Sequence, residues 1–516
     1  CMNSPRQLSA MDVLFIAGEN DRTYHHTAGL VTLDTSATPQ FDFEYFRRHT
    51  SERMDLIPHF RWKLQEVPLG LDLPYWVEDE NFSYDNHFKR IAVPQPGDRE
   101  ALAEVASYIF SRHLDRSRPL WEMWYIEGLA GGRVAILQKL HHCMMDGQGM
   151  QKVGELLSDF SPRGKKPKIE SDIARDRPGA VPDQRQLTAN MLRRWLQFPL
   201  AASRGAIDIL GTQLRDRLSA ANKASVGKPD LCIASFNGDI SGDRGFVFGT
   251  VPLAAIKRIK DAFGATVNDV VLALVAGTLR DYLLRRDELP DTALRCSIAV
   301  SLRTEEDSEL SNRVTNTAVT LATDIEDPIE RLRAISAGTA PAKQRVRSGG
   351  KGIVEILQIL PPVLLSALVN SVNADQGPRM LGANLIISNV RGSSRPMYIA
   401  GARLECMYPI SILTPGMGLN ITCVSYCDGV DFGFSLAPEL FDQPWDLVDG
   451  LSETLDEYVD LIPATGSKAG KPRAAAVNKA TGRKPAKKVE KVPVKRKAGK
   501  AAAGRARSVA GKKQAS

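Results

Sequence analysis

Two adjacent histidines and an aspartate sit within six residues in "ILQKLHHCMMDGQGM" (136–150): His141, His142 and Asp146, with Gly147 and Gly149 just behind them. These side chains could ligate a metal, move a proton or pack. Metal binding fits poorly. Neighbouring histidines point apart in either regular structure, the glycines spoil helical alignment of His142 with Asp146, and no third ligand is evident. Proton transfer fits the chemistry, because imidazole titrates nearest to neutral pH. Packing is the competing reading for His142, since a histidine on an apolar face is usually a satisfied core residue. The residues alone leave these two open. A nucleophilic triad is disfavoured: there is no G-x-S-x-G elbow, and all eight histidines lie at or before position 142. Gly147-x-Gly149 lacks the third glycine of a dinucleotide loop, Lys152 standing in its place.

The elements around the motif must position it. "RVAILQKLHH" (133–142) alternates as a strand does, with Val134, Ile136, Leu140 and His142 on an apolar face and Arg133, Lys139 and His141 on a polar one. A tight loop follows, and "MQKVGELLSDF" then has helical spacing, with Val153, Leu156 and Leu157 on one side. Later, Thr266-x-x-Asp269 has the pattern of a capping box ahead of the apolar run "VVLALVAGTL". "RCSIAVSLR", "ANLIISNV", "ISILTPG", "GLNITCVSYCDG" and "DFGFSLAP" read as strands. Mixed strands and helices in both halves predict an α/β architecture in two subdomains.

With 516 residues, 43% hydrophobic and 25% charged, the chain has the composition of a soluble globular protein. Its scattered cysteines (1, 143, 232, 296, 406, 423, 427) form no C-x-x-C pair, which suits a reducing compartment and argues against a zinc cage. The longest apolar stretch, "ILQILPPVLLSALV", is broken by Gln358 and two prolines and is too short to span a bilayer. No N-terminal run reads as a signal peptide. The expected location is cytoplasmic, with at most peripheral attachment to the inner membrane face or a lipid droplet.

The net charge of +7 conceals two parts. Residues 465–516 hold seventeen Lys/Arg against one acid, Glu490, whereas the remainder holds fifty basic and fifty-nine acidic residues. The tail lacks aromatic residues and is expected to be disordered, with non-specific affinity for anionic lipid or nucleic acid. A polar, proline-bearing stretch at 161–187 reads as a linker. The expected organisation is thus an N-terminal subdomain (1–160) carrying the motif, that linker, a C-terminal subdomain (188–464) and the tail (465–516).

"HHCMMDG" is the H-H-x-x-x-D-G motif of CoA-dependent acyltransferases. Together with "SPRQLSAMDVLFI", "HHTAGLVTL", "DRSRPLWEMWYIEGL", "FNGDISGDR", "GATVNDVVLALVAGTLRDYL", "ISNVRGS" and "YPIS", it makes residues 6–460 resemble the bacterial wax ester synthase/diacylglycerol acyltransferase family. Ser311-Asn312 stands where that family usually has Gly-Asn. The resemblance implies two chloramphenicol-acetyltransferase-like subdomains with an active-site tunnel between them. It implies transfer of a long-chain acyl group from acyl-CoA to diacylglycerol, or to a fatty alcohol, with no cofactor beyond the acyl-CoA co-substrate. His142 would be the general base and His141 a support. Asp146 would brace the loop through an ion pair, with Arg303 the candidate partner, and Gly147 would let the backbone turn. Asn268, Asp269, Arg303, Ser388 and Asn389 are candidate substrate contacts; for Asp269 the helix cap is the competing role, and for Ser388 and Asn389 it is packing. An amine-accepting condensation-type enzyme and a non-catalytic lipid-droplet protein are the alternatives.

Overall fold

Period-two runs rich in β-branched and aromatic residues build three sheets in the computed structural model, which describes residues 5–145, 147–164, 177–179, 182–183, 185–193, 195–196, 231–301, 314–349, 362–371 and 376–463. The small sheet has order β1-β4-β3, from β1 (Arg6–Gln7), β3 (Trp62–Gln65) and β4 (Tyr75–Glu78). The first large sheet combines β2 (His26–Asp34), β5 (Phe88–Ala92), β6 (Trp121–Glu127), β7 (Val134–His141), β12 (Tyr398–Ile399) and β13 (Ala402–Ile410), in the order β12-β13-β2-β7-β6-β5. The second runs β10-β9-β11-β14-β15-β8, from β8 (Gly245–Pro252), β9 (Arg295–Ser301), β10 (Val314–Thr320), β11 (Leu385–Arg391), β14 (Leu419–Tyr426) and β15 (Gly429–Leu436). Strands and helices mix in both halves of an α/β fold, as the patterning predicts.

The helices are α1 (Ala10–Ala17), α2 (Phe43–Met54), α3 (Arg99–Phe110), α4 (Gly147–Leu157), α5 (Leu253–Phe263), α6 (Val267–Leu284), α7 (Pro328–Gly349), α8 (Pro362–Asn370), α9 (Gln376–Leu381) and α10 (Asp446–Asp460). One face of the first large sheet packs on α3 through Leu30, Leu137, Ile109 and Phe110; the other packs on α2 and α4 through Leu140, Phe46, Val153 and Leu157. In the second half, α6 is buried on nearly all sides between Asp269 and Leu283. A helix apolar all round belongs at the centre of a core. No single described helix is long and apolar enough to cross a membrane; α5 and α6 reach that length only together, and the chain bends by 104° between them.

Two features depart from the patterning. "ISILTPG" contributes only Ile410 to a strand, the rest being a loop after β13. And β13, though late in the chain, completes the sheet of the first half, pairing antiparallel with β2 in the register Pro409↔Gly29 and Met407↔Val31. Its other side rests on the second sheet. Met407 N–H donates to Asp431 Oδ2 (2.7 Å) and Ser411 N–H to Ser435 Oγ (3.0 Å). Pro409 O comes so near β15 that a Cβ on Gly433 would lie 1.9 Å from it. Only glycine permits that approach.

Candidate active site

The motif lies where β7 gives way to α4. β7 is held between β2, in the register His26↔His141, Thr27↔Leu140 and Gly29↔Gln138, and β6, where Trp121 pairs with Leu140. His141 N–H donates to Leu120 O (2.9 Å), and Trp121 Nε1–H donates to Phe60 O (2.8 Å). Pro119–Trp121 therefore packs against the motif strand. Alternation puts Val134, Ile136, Gln138 and Leu140 toward α4 and Ala135, Leu137, Lys139 and His141 toward α3.

The second of these faces is a correction to the sequence reading, which made it polar. Lys139 is 0% exposed and His141 2%. The Lys139 ammonium donates to Ile109 O (3.0 Å) and to Arg112 O, so it caps the C-terminal end of α3, where a cation is favoured. Burial pushes its pKa down to about 8, with Glu122 opposing and Lys89 adding to the fall. A lysine satisfied by distant carbonyls is not recognisable in a strand pattern.

His142 follows the last residue of β7, and its backbone still pairs with β2: its N–H donates to His25 O at 2.8 Å. Its ring stacks on Phe15 of α1, centroids 4.2 Å apart and planes 16° apart. The ring is half-exposed. His25, beside it, is likewise half-buried, and desolvation of its ring together with the neighbouring His141 pushes its pKa down to about 3, against the pull of Glu19. A neutral imidazole thus neighbours His142. The end of α1 makes room for it: a Cβ on Gly18 would lie 2.8 Å from His25 Cε1.

His141 faces a different set of partners. Its Nδ1 accepts from Cys143 N–H (3.2 Å), which places the ring hydrogen on Nε2, 3.2 Å from Glu19 Oε1. Glu19 also accepts from His25 N–H (3.1 Å) and from Arg116 Nη2 (2.8 Å), and Arg116 Nη2 in turn donates to Ile16 O (2.9 Å). Burial raises the Glu19 pKa, but His141, the His25 N–H and Arg116 outweigh it and hold the carboxyl well below its usual range. His141 therefore braces the turn with its Nδ1 and ties it to α1 with its Nε2. Glu19, His25, Arg116 and Phe15 went unsingled in the sequence, although three of them lie in the segments "SPRQLSAMDVLFI", "HHTAGLVTL" and "DRSRPLW", and Glu19 falls three residues past the first.

Asp146 and Arg303 lie outside the described residues, and Gly147 opens α4. Asp269 sits in the second half, where it completes the capping box with Thr266 and accepts from Thr339 Oγ1 (2.8 Å) and Ser336 Oγ (3.2 Å) of α7. Burial raises its pKa, yet these four hydrogen bonds bring it below the ordinary carboxylate value. Next to it, Asn268 is half-buried, and its Nδ2 has no hydrogen-bond partner among the described residues. Ser388 and Asn389 lie on β11 opposite Thr422 and Cys423, the first half-buried and the second exposed. The fold thus gathers His141, His142 and Gly147 into one strand–turn–helix unit, while Asn268, Asp269, Ser388 and Asn389 sit on second-half elements. Among the described residues no group of His, Cys, Asp and Glu is arranged to hold a metal ion. An open cleft of about 880 Å³ between Arg47, Arg61, Asp79 and Tyr84 contains no motif residue.

Comparison with known proteins places this geometry. Residues 8–271 match the model of the wax ester synthase/diacylglycerol acyltransferase catalytic domain, and residues 310–458 match the WS/DGAT C-terminal domain. Rv1760 of Mycobacterium tuberculosis H37Rv, assigned by name to the diacylglycerol O-acyltransferases, is 32% identical over 459 residues, covering 88% of this chain and 90% of that protein. The wax ester synthase/diacylglycerol acyltransferase of Marinobacter aquaeolei VT8 superimposes with a TM-score of 0.65 at 28% identity, covering 88% of this chain and 98% of that one. The first condensation domain of the calcium-dependent antibiotic synthetase shares the fold, with a TM-score of 0.52 at 15% identity over 90% of this chain and 98% of its own.

Proposed function

The chain belongs to the wax ester synthase/diacylglycerol acyltransferase family, and from that premise we propose that it transfers a long-chain acyl group from acyl-CoA to the free hydroxyl of diacylglycerol, giving triacylglycerol. His142 takes the hydroxyl proton. The oxygen attacks the thioester carbonyl, the C–S bond breaks, and the CoA thiolate leaves with that proton. No acyl-enzyme forms, in keeping with a sequence that has no G-x-S-x-G elbow, and acyl-CoA is a co-substrate rather than a resident cofactor.

One observation carries the reading: the half-exposed His142 stacks its ring on Phe15, while its backbone N–H is held by the His25 carbonyl where the strand gives way to the turn and helix. A base held in place and partly exposed suits an acceptor that must arrive, react and leave. Its proton transfer contributes about 10²–10⁴-fold, and alignment of the two substrates supplies much of the rest. The neutral His25 beside it adds no positive charge that would disfavour the imidazolium formed in the transition state.

The test is an acceptor panel. Purified protein with palmitoyl-CoA is expected to release free thiol with diacylglycerol, and hexadecanol reports whether wax esters are also made. Release only with an amine acceptor would reject the assignment in favour of condensation-type chemistry.

A further inference from the structure

A phenyl ring neither gives nor takes a proton, yet one is stacked on the base. Phe15 lies two residues before the end of α1. That helix buries Val13, Ile16 and Ala17 with Cys143 of the motif turn, and Phe15 stands half-buried at the margin of the cluster. His142 lies against its ring, centroids 4.2 Å and planes 16° apart, and His25 approaches at 5.8 Å and 64°. The His25 ring is hydrogen-bonded to the Phe15 backbone, while the His25 carbonyl accepts from His142 N–H. Phe15 and His25 thus hold each other, and each holds His142, one by its ring and the other by its backbone.

α1 keeps the Phe15 ring in place. A helix of eight residues is marginal alone, and its end leaves carbonyls without partners inside the helix. Here other elements supply them. Arg116 Nη2 donates to Ile16 O (2.9 Å), and Ser366 Oγ (2.9 Å) and Asn370 Nδ2 (3.2 Å) of α8 donate to Ala17 O. At the start of the helix Ser9 Oγ accepts from Asp12 N–H (3.1 Å). The helix is tied at both ends, so its ring is a fixed platform.

Resting on the acyl-transfer reading, we propose that Phe15 is a positioning residue whose aromatic face stabilises His142 as the imidazolium. When His142 takes the hydroxyl proton, its ring becomes a cation lying on the negative face of the phenyl quadrupole. Before that step the imidazole is neutral and the attraction is absent, so the gain falls on the transition state. An aliphatic side chain would pack on the imidazole without it. Among the described residues, the titratable groups around the pair are Asp12 on α1, Glu19 with its partner Arg116, His25 ahead of β2 and His141 on β7. All of them are retained when only the Phe15 ring is altered.

The test replaces Phe15 in the full chain by mono-, di- and trifluorophenylalanine, which weaken the negative face stepwise and nearly keep the shape. Phe15→Tyr keeps the face, Phe15→Leu removes it, and thermal melts check that each variant folds. Thiol release is measured with palmitoyl-CoA and diacylglycerol. Along the fluorinated series kcat is expected to fall stepwise, by about 3- to 30-fold in all, with KM held. Phe15→Tyr stays near the parent and Phe15→Leu reaches the end of the series. The acid limb of kcat/KM moves to lower pH, because the protonated ring loses a stabilising contact. A flat fluorinated series with an unmoved limb overturns the proposal whatever Phe15→Leu does, and leaves acyl transfer standing. No thiol release by the parent enzyme rejects acyl transfer itself, and this proposal with it.

Discussion

Four imidazoles crowd the end of β7, and their surroundings separate them. His26 and His141 are buried: His26 Nε2 is 2.7 Å from Phe110 O, and burial near Lys139 lowers its pKa well below the usual value. His25 and His142 are half-buried, and only His142 stacks on Phe15 of α1, at a centroid distance of 4.2 Å. The family motif made this residue legible in the sequence, because its chemistry is written in seven consecutive letters. Glu19 and Arg116 were not legible, since Glu19 meets His141 from more than a hundred residues away and Arg116 acts on it only through Glu19, so neither leaves a local period. Glu19→Ala is expected to strand the His141 Nε2–H and lower stability by about 1–3 kcal/mol, with turnover falling as the turn loosens. Glu19→Gln, which keeps an acceptor oxygen, is expected to recover most of both. Urea unfolding and thiol-release assays on the pair check this; equal losses in the two variants would show that only the charge of Glu19 matters.

The elements show the same division between local and distant information. The strand–turn–helix of the motif and the Thr266–Asp269 cap were readable because each rests on residues within a few positions of one another. What Asp269 does beyond the cap was not readable: it accepts from Thr339 and Ser336, pinning α7 to the start of α6. Losing a cap costs about 0.5–2 kcal/mol, and stranding the α7 hydroxyls adds to that. Asp269→Ala is therefore expected to cost more than Thr266→Ala, which breaks the cap alone. Chemical denaturation of the two variants is the measurement, and equal losses would mean that the α7 contacts contribute nothing. Lys139 is the counterpart on β7. A charged letter in a strand reads as solvent-facing unless the helix carbonyls that receive it are known, and those belong to α3.

At the scale of the molecule, β13 joins the halves, and Asp431 holds the join by accepting from Met407 N–H and Thr250 Oγ1. Burial raises its pKa from 3.8 to about 6 against those two donors. A carboxyl that protonates more readily in the folded state contributes stability below its unfolded pKa and loses it as pH rises through the folded one. Asp431→Asn can put its oxygen on the Met407 N–H and donate to Thr250, so its stability relative to the parent is expected to improve by about 1–3 kcal/mol between pH 4 and pH 7. Parallel pH–stability curves would remove Asp431 from the account. The α/β class was legible from strand and helix patterning, but the return of β13 to the first sheet was not, because pairing across more than 370 residues has no sequence signature. All of this architecture serves one imidazole. The most direct test is free-thiol release from palmitoyl-CoA and diacylglycerol by His142→Ala set against the parent enzyme, with matched thermal melts. The account predicts a fall of about 10²–10⁴-fold in kcat with the melt unchanged; full turnover by the folded variant would contradict it.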